Sequence, residues 1–331
     1  MSGDPTSGEL LWQAGASLPM LRARNELNRA IRNFFHQRGV LEVETPILAQ
    51  GGTTDPNMAS FHTEYHHPGG IDSHRFYLQT SPEFFMKRLL ANDIGSIFQF
   101  ARVFRNGEAG RWHNPEFTML EWYRKGFSYH RLMDEVDIFL QSVVGYQSAQ
   151  RITYRELFQT YVDLDVVTAT SGQYASVLAA ADVSVNSSFS AESVTFWQQL
   201  VMSHLIEPRL GLKRPIFVYD WPQEQASLAK IRIGPPPVAE RFELFIHGVE
   251  IANGFQELLD PHEQLSRFEK DNQNRIDQGL DPVVIDKYFI RALESGMPEC
   301  SGVALGIDRL LMLAMKVDHI DSVMTFSAKR I

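Results

Sequence analysis

The chain has 331 residues, 44% apolar and 21% charged, with a net charge of −9, which is the make-up of a globular protein able to bury a large core. The acidic balance argues against a broad nucleic-acid footprint, because phosphate binding needs a basic face. No apolar run approaches the roughly 20 residues that span a bilayer, and a single cysteine, Cys300, excludes an intrachain disulfide and fits a reducing cytoplasm.

The first residues, Met1–Glu9, are polar and acidic and lack the basic-then-apolar order of a secretory signal. Residues 18–38 are expected to form an amphipathic helix, with Leu27, Ile31, Phe34 and Phe35 on one side and arginines on the other. Gly39 stands where a helix C-cap glycine would, and a strand from Val40 to Thr45 should end at Pro46. His62, His66 and His67 fall in a Gly- and Pro-containing stretch with no cysteine or second ligand pair, so solvated loop histidines are expected there, not a metal site. Thr80-Ser81-Pro82-Glu83 precedes a helix beginning near Phe84, where a first-turn glutamate suits the helix dipole.

Residues 97–105 and 116–124 both alternate, which predicts an antiparallel pair joined by a loop of roughly ten residues. Alternation then puts Phe117, Met119, Glu121 and Tyr123 on one face, with Arg105 entering from the end of the first strand. A helix should open the stretch 130–165, and a second amphipathic helix is expected at 190–209, around Val194, Trp197, Leu200, Val201 and Leu205. A strand at 216–220 and a loop at Pro235-Pro236-Pro237 follow. Residues 141–215 carry no readable chemistry.

From Glu243 to Glu257 a two-residue turn at His247-Gly248 would pair Phe245 with Glu250 and set Glu243 and Glu250 diagonally on one face, close enough to share a cation. Two such carboxylates are costly when buried unless a cation or donors compensate them, and Mg²⁺ bridging carboxylates and ATP phosphates is the natural occupant. Asn253, Phe255 and Glu257 have the opposite parity from Glu250, so for all to face one site the strand must bulge, with Gly254 the expected place. Near the C-terminus, Gly302 and Gly306 permit close backbone approach, and Arg309 falls in the first turn of a helix at 307–317. Two fixed guanidiniums, a ring of carboxylates and an aromatic face are what a site needs to hold ATP and an amino acid together.

Three stretches resemble the class II aminoacyl-tRNA synthetases and are closest to lysyl-tRNA synthetase. Gly39 … Pro46-Ile47-Leu48 is similar to motif 1, Phe104-Arg105-Asn106-Gly107-Glu108 … His113-Asn114-Pro115-Glu116-Phe117 to motif 2, and Gly302-Val303-Ala304-Leu305-Gly306-Ile307-Asp308-Arg309 to motif 3. The resemblance implies an α+β fold, an antiparallel β-sheet flanked by helices, as one catalytic domain over residues 1–331 that dimerises through motif 1. It implies catalytic roles for Arg105 and Arg309, and ATP contacts from Arg105, Asn106, Gly107, Glu108, His113, Asn114, Phe117, Glu250, Ile251, Gly306 and Arg309. It places Mg²⁺ on Glu243 and Glu250, and the amino acid among Ser81, Pro82, Glu83, Glu121, Tyr123, Asn253, Phe255, Glu257 and Ala304.

The departures are informative. Gly107 stands where the family has the glutamate that reads adenine, so Glu108 must shift in or a backbone carbonyl must substitute. Ser81 and Ala304 replace an alanine and a glycine, which hints at a substrate other than plain α-lysine. Several carboxylates around one pocket imply two ammonium groups on the substrate. Motif 1 begins within the first 40 residues, leaving no room for the N-terminal anticodon-binding barrel, so tRNA is not the expected acceptor. The chain most resembles the truncated lysyl-tRNA synthetase paralogues, a family that implies ATP-dependent activation of (R)-β-lysine or lysine and its transfer to a lysine ε-amine of translation elongation factor P. The alternatives are a minimal synthetase-like ligase with another acceptor, and a regulatory paralogue without catalysis. A regulatory paralogue would tend to lose Arg105, Arg309, Glu243 and Glu250, and all four are present.

Overall fold

The computed structural model describes residues 12–66, 68–69, 73–185 and 193–331; Met1–Glu9 and His67 therefore lie outside it. The chain divides into two compact units, the first made of residues up to Lys125 with Leu259–Pro298 and Ala304–Ile331, the second of Gly126–Leu258 with Glu299–Val303.

In the first unit, α1 (Leu18–His36) starts at Ser17, whose hydroxyl accepts the Met20 N–H, a cap that satisfies one of the unbonded first-turn donors. It ends at Gln37, and Gly39 follows with φ +64°. The expected strand 40–45 shrinks to β1 (Leu41–Glu42), because only those two residues find a parallel partner. Next come β2 (Leu48–Ala49), β3 (His62–His66), β4 (Ser73–Leu78), α2 (Glu83–Ala91), β5 (Ile97–Phe104) and β6 (Glu116–Lys125). His62 and His66 therefore lie at the ends of a strand, both exposed, and not in a loop.

β5 and β6 pair antiparallel, with Val103 opposite Phe117, Gln99 opposite Glu121 and Ile97 opposite Tyr123. One face of this pair packs on α1, where Phe35 stacks on Phe98 at 4.5 Å and meets Trp122 at 5.2 Å. Full burial of such side chains stabilises by about 1.5–3 kcal/mol each. The other face carries Met119, Glu121 and Tyr123.

The second unit contains α3 (Tyr129–Phe139), β7 (Gln150–Thr153), α4 (Tyr154–Val162), α5 (Ser171–Ala180), α6 (Val194–Val201), β8 (Ile216–Pro222), β9 (Ile231–Arg232), β10 (Val238–Ile246) and β11 (Val249–Gln256). The helix expected at 190–209 is split: α6 gives way to a π turn, Met202–Ile206, and a 3-10 turn, Glu207–Arg209. Pro208 enforces the last change, since it has no N–H to continue an α-helix. Residues 190–192 of that expectation lie outside the described residues. β10 pairs antiparallel with both β8 and β11, and β7 runs parallel to β8. Stretch 141–215, silent in sequence, supplies the core behind these strands: Tyr154, Phe158, Tyr174, Leu178, Trp197 and Val201 pack with Val218, Trp221 and Phe245.

The chain closes with α7 (Pro261–Asp277), α8 (Lys287–Glu294), β12 (Cys300–Gly306) and α9 (Ile307–Met315). In the first unit Phe84 stacks on Phe289 at 4.8 Å and meets Phe268 at 5.6 Å, which fixes α2 against α7 and α8. Antiparallel pairing dominates both units, with helices packed against the strands.

Candidate active site

In the first unit, β6 and the start of α2 build a carboxylate group. Glu121 is buried; Ser81 Oγ donates to its Oε2 at 2.7 Å and Tyr123 Oη to its Oε1 at 2.5 Å. Ser81 Oγ also accepts the Glu83 N–H at 3.0 Å, which ties this serine to the helix start beside Pro82. Burial first, then the charge of Glu83, pushes the Glu121 carboxyl up to about 7, while Tyr123, Ser81 and Lys87 act the other way. Lys87, absent from the sequence reading, is fully buried and donates to Glu83 at 2.6 Å. Its spacing of four residues from Glu83 was the available signal. Ala304 and Phe117 pack against Met119, so the alanine methyl stands on the face that carries Glu121.

The loop 105–115 sets Arg105 beside Glu108, and His113 beside both Glu108 and Arg309. Arg105 lies 3.7 Å from Glu108 and 5.2 Å from the Phe117 ring centre, and its Nε is buried without a hydrogen bond. His113 comes within 3.9 Å of Glu108 and contacts Arg309 Nη2. Arg309 Nε donates to Trp112 O at 3.3 Å. Asn106 and Gly107 lie exposed at the start of the loop, Gly107 with φ +84°, a conformation that favours glycine. Gly306 immediately precedes α9.

Asn114 differs from its neighbours. It is buried, its Oδ1 accepts the Ala328 N–H at 2.9 Å, and its Nδ2 donates to Glu116 O at 2.6 Å. Its amide thus braces the loop against residues near 328. Asp308, next to Arg309, is likewise structural: buried, it accepts from Arg24 of α1 and from the Thr118 N–H at 2.7 Å. Neither tie could be read from the sequence, since each joins segments roughly 190 or more residues apart.

In the second unit, the turn at His247-Gly248 forms as expected, with φ +51° and +75° and Phe245 opposite Glu250. The bulge is needed but is not at Gly254. Phe245 pairs with Glu250 while Leu244 pairs with Ala252, which leaves Ile251 as the extra residue. From there Glu243 faces Asn253 and Arg241 faces Phe255, so Glu243, Glu250, Asn253 and Phe255 share one face. Gly254 serves a different end: a Cβ there would come 2.5 Å from Phe242 Cζ and 2.8 Å from Gly302 O. Phe255 also packs on the second core, and Glu257 is buried, its N–H donating to Cys300 O at 3.1 Å.

Glu243 is buried, and burial above all, with Glu250 and Glu207 nearby, pushes its carboxyl up to about 8 against the pull of Arg241. Crowded carboxylate oxygens in such a place suit a hard divalent cation. Among the described residues no group of three or more His, Cys, Asp or Glu side chains is placed to hold a metal. Mg²⁺ here would need further oxygens, such as phosphates and water, and that is how Mg²⁺ usually binds beside a nucleotide.

The family model for class II tRNA synthetases (D, K and N) matches residues 11–330. An elongation factor P–(R)-β-lysine ligase of Proteus mirabilis is 47% identical over 96% of this chain and 98% of its own. Ligases of the same name from Vibrio vulnificus and Vibrio parahaemolyticus are 48% and 49% identical, each over 95% of this chain and 97% of its own. By these matches the chain belongs to the class II tRNA synthetases of the D, K and N group and, within it, to the family of the elongation factor P–(R)-β-lysine ligases.

Proposed function

We propose that the protein activates (R)-β-lysine, or lysine, with ATP and transfers it to a lysine ε-amine of elongation factor P. The observation that carries the activation half is the Ser81–Glu83–Glu121–Tyr123 group, where a buried carboxylate held by two hydroxyls and crowded by a second carboxylate calls for a cationic ligand. The acceptor half rests on the name borne by the relatives of 47–49% identity.

In this reading a carboxylate oxygen of the amino acid attacks the α-phosphorus of ATP, the bond to the bridging oxygen breaks, and pyrophosphate leaves. Arg105 and Arg309 oppose the charge that gathers on the phosphates. Asn106, Gly107, Glu108, His113, Phe117, Ile251 and Gly306 form the nucleotide's surroundings, with Asn114 holding the loop. Pro82, Asn253, Phe255, Glu257 and Ala304 complete the amino-acid pocket. Glu243 and Glu250 would hold Mg²⁺, which when bound neutralises phosphate charge. The acceptor amine then attacks the adenylate carbonyl, AMP departs with the bonding electrons, and the amine loses a proton to leave an amide. No step uses a side-chain nucleophile; positioning and electrostatics suffice.

We further propose a cytoplasmic homodimer through residues 20–48, with tRNA not an acceptor. Exposed Leu41, Ile47 and Leu48 support such an interface, and among the described residues no helix is long and apolar enough to cross a membrane. ATP–pyrophosphate exchange with (R)-β-lysine, α-lysine and aspartate tests the activation half. Exchange with a lysine isomer supports it, and exchange with aspartate alone overturns it.

A further inference from the structure

Arg241 entered no motif, yet its guanidinium bonds three partners of the second unit. Nη2 donates to Glu243 Oε1, Nε donates to Asn253 Oδ1 at 3.2 Å, and Nη1 donates to Gln225 O at 2.7 Å. The guanidinium carbon also lies 4.6 Å from the centre of the Trp221 ring. Only 14% of the side chain is exposed. The strand register explains how one residue reaches these partners. Arg241 and Glu243 are two apart on β10 and share a face, and Asn253, opposite Glu243, is the diagonal neighbour of Arg241.

The chemistry of the fork decides what the partners have left. A guanidinium has donors and no acceptor, so Asn253 must turn its carbonyl oxygen inward, which leaves Nδ2 as the donor for a ligand. Glu243 spends Oε1 on Arg241 and keeps Oε2 for a cation. A lysine ammonium is a single point charge and cannot occupy three directions at fixed angles.

We infer that Arg241 is a positioning residue that orients the cation-binding carboxylate Glu243 and the pocket amide Asn253 together, so that both ligand sites depend on one guanidinium. This rests on the functional reading above for the roles of Glu243 and Asn253. Arg241 touches neither ligand and acts through the two side chains that do. Its loss must therefore perturb two sites that single changes at Glu243 or Asn253 would perturb separately.

The test compares wild type, Arg241→Met and Arg241→Lys, with Glu243→Gln and Asn253→Ala as controls. Calorimetry measures (R)-β-lysine binding without ATP, and pyrophosphate exchange is followed as Mg²⁺ is varied. Circular dichroism confirms the fold of each variant. Arg241→Met should weaken (R)-β-lysine binding roughly 10-fold or more and raise the Mg²⁺ needed for half-maximal exchange several-fold. Each control should show only one of the two effects. Arg241→Lys should recover the Mg²⁺ dependence, because it restores a cation beside Glu243, and leave amino-acid binding weak. Should Arg241→Met not fold, Arg241→Lys decides: unchanged amino-acid binding overturns the inference. A folded Arg241→Met that matches wild type in both measurements, while the controls lose one each, overturns the inference alone. A wild type that responds to neither ligand overturns this inference and the functional reading together.

Discussion

Replacing Glu121 by glutamine tests the carboxylate group on which the proposed amino-acid pocket rests. The carboxyl is pushed up from 4.5 to about 7 by burial and by Glu83, and each unit of pKa is worth about 1.4 kcal/mol between protonation states. A folded-state pKa above the unfolded value means that stability is fully present below about 4.5 and is lost as pH rises through about 7. Ionised Glu121 should therefore cost the ligand-free protein about 3 kcal/mol at pH 8 relative to pH 4.5. Glu121→Gln keeps a hydrogen-bonding amide and cannot ionise. Urea unfolding of both proteins at pH 4.5 and pH 8 isolates this contribution, because the Glu243 titration is common to both and cancels. The variant should gain about 3 kcal/mol on wild type between the two pH values, and its affinity for a lysine isomer should fall. A difference in stability that does not change with pH would refute the electrostatic account of this site.

Three further outcomes follow from the same geometry. Arg309→Ala should lower pyrophosphate exchange at least about 100-fold in a protein that still folds, since Arg309 bonds the loop at Trp112 O and His113; near-normal exchange would remove Arg309 from the chemistry. Gly254→Ala should destabilise by about 1–3 kcal/mol through overpacking against Phe242 and Gly302, and a melting temperature equal to wild type would contradict that packing. Sedimentation at micromolar concentration should give a two-fold symmetric dimer, which Leu41→Asp and Leu48→Asp together weaken; a wild-type monomer would refute the proposed interface.

What could be read in the sequence was what local rules govern. The face shared by Met119, Glu121 and Tyr123 follows from strand alternation, and the turn at His247-Gly248 fixes its own register. The need for a bulge followed from the parity of Glu250 against Asn253, but its place did not. The shift at Ile251 depends on how β10 pairs across the strand, whereas Gly254 is required by Phe242 beneath it. Arg241 and the Arg24–Asp308 pair escaped for a related reason. Arg241 is held by Asn253 and Gln225, and Asp308 by Arg24, partners that only the fold brings together, whereas Lys87 pairs with Glu83 within one helix and only its full burial was hidden. Asn114 shows the converse, a motif residue whose amide is committed to Ala328 and Glu116. Stretch 141–215 was opaque because aromatic packing such as Tyr154 on Trp221, 4.6 Å apart, leaves no motif.

The central claim is best tested by offering the protein ATP, Mg²⁺ and (R)-β-lysine with purified elongation factor P and bulk tRNA in one vessel, and reading both acceptors by mass spectrometry. The account predicts a mass increase of one lysyl-type residue on elongation factor P and none on tRNA. Charged tRNA with unmodified elongation factor P would contradict it.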